Sequence, residues 1–148
     1  MAIPALNEHG LLPDGIHDCT LQEAEARFAR FQESDRRPRL WTRFKEFVHE
    51  LELTGLRIVI LVDGSFVTAK ANPNDIDVIL ALPSTHDLGR DLSVAEYNVL
   101  SAPKVKQRYG MDLLVARAGS DQYDRYVRFF QQVRFEPERN KGILRVEL

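Results

Sequence analysis

The sequence has 148 residues and a formal net charge of −2 at pH 7, and its length predicts one domain over residues 1–148 with a single sizeable core. The nearly balanced charge excludes a protein whose whole surface attracts nucleic acid, so such a contact would need a local basic patch. No segment is long and apolar enough to predict a membrane span, and Cys19 as the only cysteine excludes an internal disulfide. Because the N-terminus also lacks the basic and apolar regions of a secretory leader, we expect a cytoplasmic protein.

The first part of the chain predicts an irregular arm followed by two helices. Residues 1–19 are rich in Pro, Gly and Asn, so we expect no regular structure there. Thr20 and Glu23 have the spacing of a capping box at the start of the first helix. The apolar stripe of that helix is expected to comprise Leu21, Ala24, Phe28 and Phe31. After a break at residues 34–38, a second helix is expected from about Leu40 to Leu53.

Four apolar runs predict the strands of a small sheet. Leu56–Val62 is nearly all apolar, which is typical of a strand buried on both faces. Asp75–Leu82 and Asp112–Ala116 predict the next two strands. Ile143–Leu148 predicts a closing strand whose polar residues alternate with apolar ones, so we expect it near a sheet edge.

Short helices are expected in the intervals between these strands. Ser93 and Glu96 predict a second capping box, and Ser101 and Gly110 would bound the following helix. Ser120 predicts the start of the last helix. Its apolar stripe is expected to comprise Tyr123, Val127, Phe130 and Val133. The fold class is therefore expected to be α/β (α+β), a small mixed sheet with helices packed against it, two of them N-terminal.

The segment Gly64–Leu80 carries the most informative chemical pattern in the sequence. Asp75 and Asp77 are two residues apart on a predicted strand, so both carboxylates face the same side of the sheet. Two adjacent carboxylates repel each other unless a cation lies between them, and Mg²⁺ prefers such oxygen ligands. Gly64 and Ser65 follow a buried strand, where free backbone N–H groups and the Ser65 hydroxyl would hold a phosphate.

Asp112 and Lys70 complete the candidate site. If the strand that Asp112 opens lies beside the strand of Asp75 and Asp77, the three carboxylates converge as ligands of two Mg²⁺ ions, with Mn²⁺ as an alternative. Lys70 is the nearest cation after the turn and is either a phosphate contact or an exposed loop lysine. Asp63 stands directly before the turn, and we assign it a structural hydrogen bond there.

The order Gly-Ser, Asp-x-Asp and a lone Asp on a later strand resembles the pattern of minimal nucleotidyltransferases of the DNA polymerase beta superfamily. The resemblance covers about residues 56–116. Along its whole length, including Asn7–Pro13 and the closing segment Gly142–Val146, the chain looks like an uncharacterised bacterial branch of that superfamily. A nucleotidyltransferase-like fold is what this resemblance implies.

The resemblance also implies a reaction and a role for each site residue. The protein would be a magnesium-dependent transferase that moves a nucleoside monophosphate from ATP or another nucleoside triphosphate to a hydroxyl of a protein, RNA or small molecule. Asp75 and Asp77 would hold both metal ions, Asp112 would bind the catalytic one and favour deprotonation of the acceptor, and Gly64 and Ser65 would hold the triphosphate. Members of the wider group often belong to toxin–antitoxin or phage-defence gene pairs, which would add a protein target or partner.

Two departures from the family pattern leave a non-catalytic alternative open. Minimal members commonly carry Ala-Arg-Gly shortly after Gly-Ser, whereas this chain has Val67, Thr68 and Ala69. Asp63 also adds negative charge where a triphosphate would lie. The alternative is a nucleotidyltransferase-fold protein that acts as an antitoxin or regulatory binding partner.

A basic run surrounds Trp41 at the start of the second helix. The run comprises Arg36, Arg37, Arg39, Arg43 and Lys45. A nucleic-acid contact is one interpretation, but a solvated helix start with Trp41 in the core is the one we favour. His17 and Cys19 form a His-x-Cys pattern without partners, for which we expect a buried position and a reduced thiol rather than a metal site.

Overall fold

The structure is a computed structural model that describes residues 3–30, 34–133 and 136–148. The helices in these ranges are α1 (Leu21–Phe28), α2 (Arg36–Leu53), α3 (Val94–Leu100), α4 (Ala102–Tyr109) and α5 (Asp121–Gln131). The strands are β1 (Gly15–Thr20), β2 (Val59–Asp63), β3 (Asp77–Leu82), β4 (Asp112–Arg117), β5 (Gln132–Val133), β6 (Glu136–Asn140) and β7 (Gly142–Glu147). The expected α+β class with two N-terminal helices is confirmed. Across the described ranges, no helix combines the length and the apolar character that crossing a membrane requires.

The main sheet has five strands in the order β1-β7-β2-β3-β4. Strand β2 runs antiparallel to both of its neighbours, whereas β1 is parallel to β7 and β4 is parallel to β3. Strands β5 and β6 form a separate antiparallel pair. The main sheet is therefore mixed, as the sequence predicts.

Helices cover both faces of the main sheet, and strand alternation assigns each apolar residue to one of them. Ile60, Val62, Val78 and Leu80 pack with the apolar side of α2, which contributes Trp41, Phe44 and Phe47. Leu61, Ile79 and Ile143 face the opposite side, where Val127 and Phe130 of α5 cover them. The two sets alternate along β2 and β3 because successive side chains of a strand point to opposite faces. We call these the α2 face and the α5 face.

Local sequence signals predict the ends of several helices correctly. The side chains of Thr20 and Glu23 exchange hydrogen bonds with each other's backbone N–H groups, so this capping box is confirmed. Ser93 and Glu96 form the second capping box in the same way. Gly110 ends α4 in the left-handed conformation, with φ of 70°. These signals succeed because each involves residues within one helical turn.

Two expectations about the sheet are wrong. Residues 15–20 belong to β1 and are not part of an irregular arm, because they pair in parallel with Gly142–Glu147. Strand β7 is consequently an interior strand between β1 and β2, next to the edge strand but not itself at the edge. Its polar residue Arg145 is cross-strand partner to Asp18, and the two side chains form a bidentate ion pair.

Two helix boundaries also differ from expectation, and one expected residue cannot be compared. Helix α2 begins at Arg36, earlier than Leu40, because Pro38 lies in the first turn, where its missing N–H costs no helical hydrogen bond. Helix α5 ends at Gln131, so Val133 belongs to β5. Phe31, expected in the stripe of α1, lies outside the described residues.

Candidate functional site

Three aspartates form a row at one end of the neighbouring strands β2, β3 and β4. Asp77 at the start of β3 is the cross-strand partner of Asp63 at the end of β2 and of Asp112 at the start of β4. Cross-strand partners project to the same face, and this row has the same alternation as Leu61 and Ile79. The row therefore lies on the α5 face.

Asp75 joins this row from the loop that leads into β3. The strand itself begins at Asp77, so Asp75 is not a strand residue as expected. Asp75, Asp77 and Asp112 nevertheless each offer a carboxylate oxygen, and these oxygens all lie within 4.8 Å of one another. Oxygen ligands at this spacing match the preference of Mg²⁺ and Mn²⁺ for carboxylates. The expected convergence of the three acids depends on β3 and β4 being neighbours, and they are.

Burial and mutual repulsion make the row hard to ionise fully. Burial, and after it the negative charges of Asp75, Asp63 and Asp112, together raise the pKa of Asp77 to about 7. Burial likewise raises the pKa of Asp63 to about 6, although Lys141 and the backbone N–H of Gly64 oppose the shift. A divalent cation would remove this repulsion, so the electrostatics of the row favour a bound cation.

Gly64 makes the close approach of the turn to Asp75 feasible. Its φ is 91°, in the region that side chains disfavour. A Cβ atom at this position would lie 2.9 Å from Asp75 Oδ1 and 3.0 Å from the backbone nitrogen of Asp77. Any larger residue would push against the acidic row, so the glycine is needed for the shape of the site.

Ser65 holds the acidic row in place in this structure. Its backbone N–H and its hydroxyl both donate to Asp75 Oδ1, at 2.9 and 3.0 Å. Its hydroxyl oxygen also accepts from the backbone N–H of Asn74 at 3.0 Å. These donors therefore orient a candidate metal ligand, and the expected contact of Ser65 with a triphosphate stays a prediction.

An open cleft with a volume of about 780 Å³ lies beside Asp75 and Asp77. Lys70 lines it and is exposed, which is compatible with the expected phosphate contact. Lys141 also lines it and, although only 17 % of its side chain is exposed, places Nζ 3.0 Å from Asp63 Oδ1. Phe129 of α5 is 65 % exposed and lines the same cleft.

Asp63 and Lys141 correct the expectation for the turn. Asp63 is buried in the acidic row and forms an ion pair with Lys141, instead of serving only a structural hydrogen bond in the turn. Lys141 stands directly before β7 in the sequence. No local pattern links it to Asp63, because the contact depends on β7 pairing with β2.

For Arg37 the expectation of a solvated helix start is wrong. Arg37 is 2 % exposed, and its guanidinium donates to the carbonyl oxygens of Phe66, Thr68 and Lys70 at 2.6 to 2.7 Å. Arg37 thereby fixes the backbone of the loop after Gly64 to helix α2. A signal was available, because Arg37 precedes Trp41 by one helical turn and so falls on the apolar side of the helix.

The N-terminal segment braces the same loop from the other side. Asn7 Oδ1 accepts from the backbone N–H groups of His9 and Leu11, which shapes a tight turn. The carbonyl of Gly10 in that turn accepts from the N–H of Ala69 at 2.9 Å. Leu11 lines the cleft, so this part of the chain belongs to the site.

The basic run and the His-x-Cys pattern have mainly structural surroundings. Trp41 is buried, as expected, and its Nε1 donates to Glu25. Lys45 pairs with Glu25 at 3.4 Å on the solvent side. His17 Nε2 lies 2.6 Å from the carbonyl oxygen of Pro13, and Cys19 is buried as a free thiol.

Comparisons with known proteins give this chain a family but no function. No curated protein and no solved structure matches it. One family model, described as a family of unknown function (DUF6932), matches residues 4–147. Because that match covers nearly the whole chain, the protein belongs to the DUF6932 family.

Proposed function

We propose that this protein is a magnesium-dependent nucleotidyltransferase that moves a nucleoside monophosphate from a nucleoside triphosphate to a hydroxyl acceptor. The observation that carries the proposal is the convergence of Asp75, Asp77 and Asp112, whose oxygens lie within 4.8 Å beside an open cleft. Phosphoryl transfer needs little covalent help from a protein and depends on positioning and charge stabilisation, which such a site supplies.

The three aspartates fit a divalent cation by ligand type and by charge. All three offer hard oxygen ligands, and Asp112 is exposed, which leaves room for water or substrate oxygens on that side. When bound, the metal neutralises phosphate charge and increases the acidity of an acceptor hydroxyl. Asp63 adds a fourth acid that pairs with Lys141, and because it is not among the three acids whose oxygens converge, it is not one of the metal ligands that we assign.

The cleft offers the contacts that a nucleoside triphosphate requires. Lys70 and Lys141 line it and would bind phosphate oxygens, with Lys141 shared between Asp63 and the nucleotide. The exposed ring of Phe129 would stack on the base, an interaction that aromatic side chains provide without selecting one base. Gly64 keeps the turn close to the acidic row so that the phosphates can approach.

In the proposed reaction the acceptor oxygen attacks the α-phosphorus of the triphosphate. A new oxygen–phosphorus bond forms, the bond from the α-phosphorus to the bridging oxygen breaks, and pyrophosphate leaves. Asp112, the exposed acid of the row, receives the acceptor proton and releases it to solvent. Arg37 keeps the loop from Phe66 to Lys70 in one conformation during this step.

A second candidate is a non-catalytic nucleotidyltransferase-fold protein that acts as an antitoxin or regulatory partner of another protein. The observation that favours it concerns Ser65, whose N–H and hydroxyl are both engaged by Asp75 and so are not directed at a phosphate. This candidate predicts a stable complex with a protein partner and no transfer. A role in a toxin–antitoxin or defence system is compatible with either candidate.

The test is label transfer from α-³²P-labelled triphosphates to cell-extract acceptors in the presence of Mg²⁺ or Mn²⁺. We expect transfer by the natural protein and a loss of at least a hundredfold for Asp77→Asn, since the central acid of the row is removed. Asp91→Asn makes the same chemical change at an exposed position outside the row and serves as the control.

Two results would decide between the candidates. Transfer that survives in Asp77→Asn would contradict the metal-dependent mechanism. No transfer with any triphosphate, combined with a stoichiometric co-purifying protein, would replace the catalytic proposal with the binding-partner candidate.

A further inference from the structure

A basic groove lies between helices α2 and α4, separate from the nucleotide cleft. It has a volume of about 580 Å³ and is lined by Arg39, Arg43, Lys106 and Arg108, with Glu46 as its one carboxylate. All four cations are exposed. The groove therefore concentrates positive charge on a protein whose net charge is negative.

Three of the four cations pair with carboxylates that lie outside the lining of the groove. Arg39 pairs with Asp35 at 3.1 Å, but its side chain is 73 % exposed, so the pair contributes little and is easily exchanged. Arg108 pairs with Glu50, which is not part of the lining. Arg43 has no ion-pair partner in the part of the chain that the structure describes, and its guanidinium lies over Gly110 at the end of α4.

The groove is continuous with the acidic row through one contact. Lys106 Nζ lies 3.1 Å from Asp112 Oδ1, and Lys106 is also a lining residue of the groove. A polyanion bound along the groove would therefore extend to Asp112. In the proposed function, Asp112 is the acid that receives the proton of the acceptor hydroxyl. The nucleotide cleft lies on the other side of the row, next to Asp75 and Asp77.

We infer that the α2–α4 groove binds a nucleic-acid strand and presents its terminal hydroxyl to Asp112 as the acceptor. The role of the hydroxyl as the acceptor rests on the proposed function, whereas the binding of the strand is independent of it. The phosphates of the strand would contact Arg39, Arg43 and Arg108.

The spread of the cations favours a nucleic acid over an acidic protein segment. Regularly spaced phosphates suit arginines that come from two different helices, because guanidinium groups bind phosphate oxygens in a fork geometry. Gln107 in the same lining adds a neutral donor for sugar and phosphate oxygens. An acidic polypeptide is the competing occupant that the experiment includes.

The experiment measures binding of a fluorescein-labelled 12-nucleotide single-stranded RNA by anisotropy at several salt concentrations, without triphosphate or divalent cation. We expect the logarithm of the binding constant to fall with the logarithm of salt concentration, with a slope of about −2, which corresponds to three phosphate contacts. Arg43→Glu and Arg39→Glu should each weaken binding about tenfold and reduce the magnitude of the slope by about 0.7.

Arg125→Glu makes the same charge change at an exposed position of α5 and should change binding less than twofold. Thermal unfolding of each variant establishes that the fold is retained. The inference is overturned if RNA does not bind, if the two groove variants weaken binding no more than Arg125→Glu does, or if polyglutamate of equal length binds more tightly than RNA.

Failure of this inference and failure of the proposed function have different signatures. RNA binding that Asp77→Asn retains, with no label transfer from any triphosphate, supports the groove and contradicts the proposed function. Label transfer to extract acceptors by a protein that does not bind RNA supports the proposed function and overturns the groove.

Discussion

The two faces of the central sheet use the same strands for different purposes. On the α2 face, Ile60, Val62 and Val78 belong to one continuous apolar cluster with the buried side chains of α2. On the α5 face, Leu61 and Ile79 are apolar, but the next positions at the strand ends are Asp63 and Asp77. One face is therefore a core along its whole length, whereas the other changes from a core to a row of acids.

This difference explains where the molecule gains stability and where it does not. The α2 face buries aromatic rings such as Phe44 and Phe47 completely, and such burial is the main favourable term in folding. The α5 face gathers acids whose pKa values are raised because their charges are buried together. Mutual repulsion of this kind is costly to folding, which is typical of positions that serve binding.

The largest expected contrast is between two phenylalanines. Phe44 is fully buried on the α2 face, so Phe44→Ala should lower the free energy of unfolding by about 3–5 kcal/mol. Phe129 is 65 % exposed at the cleft, and Phe129→Ala should lower it by less than about 1 kcal/mol. Urea denaturation of both variants measures the two values. Similar losses at the two positions would contradict the division into a core face and a site face.

The next contrast compares two glycines with positive φ. Gly64 has φ of 91° and no room for a Cβ, whereas Gly119 has φ of 76° and open space around it. Gly119→Ala should lower the free energy of unfolding by about 1 kcal/mol, from backbone strain alone. Gly64→Ala should lower it by about 2–3 kcal/mol, because Asp75 and Asp77 must also move. Thermal unfolding gives both values, and equal costs would mean that the turn does not press on the acidic row.

The smallest contrast concerns the charge of Asp77. Its folded pKa of about 7 lies above the value of about 4 in the unfolded chain. Between these two pH values the folded state therefore binds more protons than the unfolded state. The stability that a protonated Asp77 contributes is complete below about pH 4 and is lost as the pH rises through about 7.

Asp77→Asn removes this dependence by substituting a neutral side chain of the same shape. Without divalent cations, the variant should be more stable than the natural protein by roughly 1–2 kcal/mol at pH 8 and equal to it at pH 4. Urea denaturation in EDTA at the two pH values tests this, with Asp91→Asn as the control. A variant that is less stable at pH 8 would show that Asp77 is held mainly by favourable contacts.

Much of the acidic site could be predicted from the sequence, because its decisive spacing is local. Alternation predicts that Asp75 and Asp77 lie on one side, and their carboxylates do converge, although Asp75 precedes the strand and is placed by the loop instead. Asp112 could be included only by assuming that its strand is a neighbour, an assumption that the pairing of β3 with β4 fulfils. The roles of Asp63 and Lys141 were not predictable, because they depend on contacts between strands distant in sequence.

The errors in the fold have the same physical origin. The segment Gly15–Thr20 has a weak strand signal of its own and is stabilised by parallel pairing with β7, which no local pattern reveals. Once β1 is in place, β7 is no longer at an edge. Arg37 is the exception, since its place on the apolar side of α2 follows from helical periodicity and could have been noticed.

Whether the three aspartates form one cation site is tested by Mn²⁺ binding, measured by electron paramagnetic resonance at pH 8 for the natural protein, Asp77→Asn and Asp91→Asn. If Asp75, Asp77 and Asp112 form one cation site, the natural protein and Asp91→Asn bind Mn²⁺ with equal affinity, and Asp77→Asn binds at least tenfold more weakly. Equal binding by all three proteins, or no binding by the natural protein in the presence of a nucleoside triphosphate, would show that the three aspartates do not form a cation site.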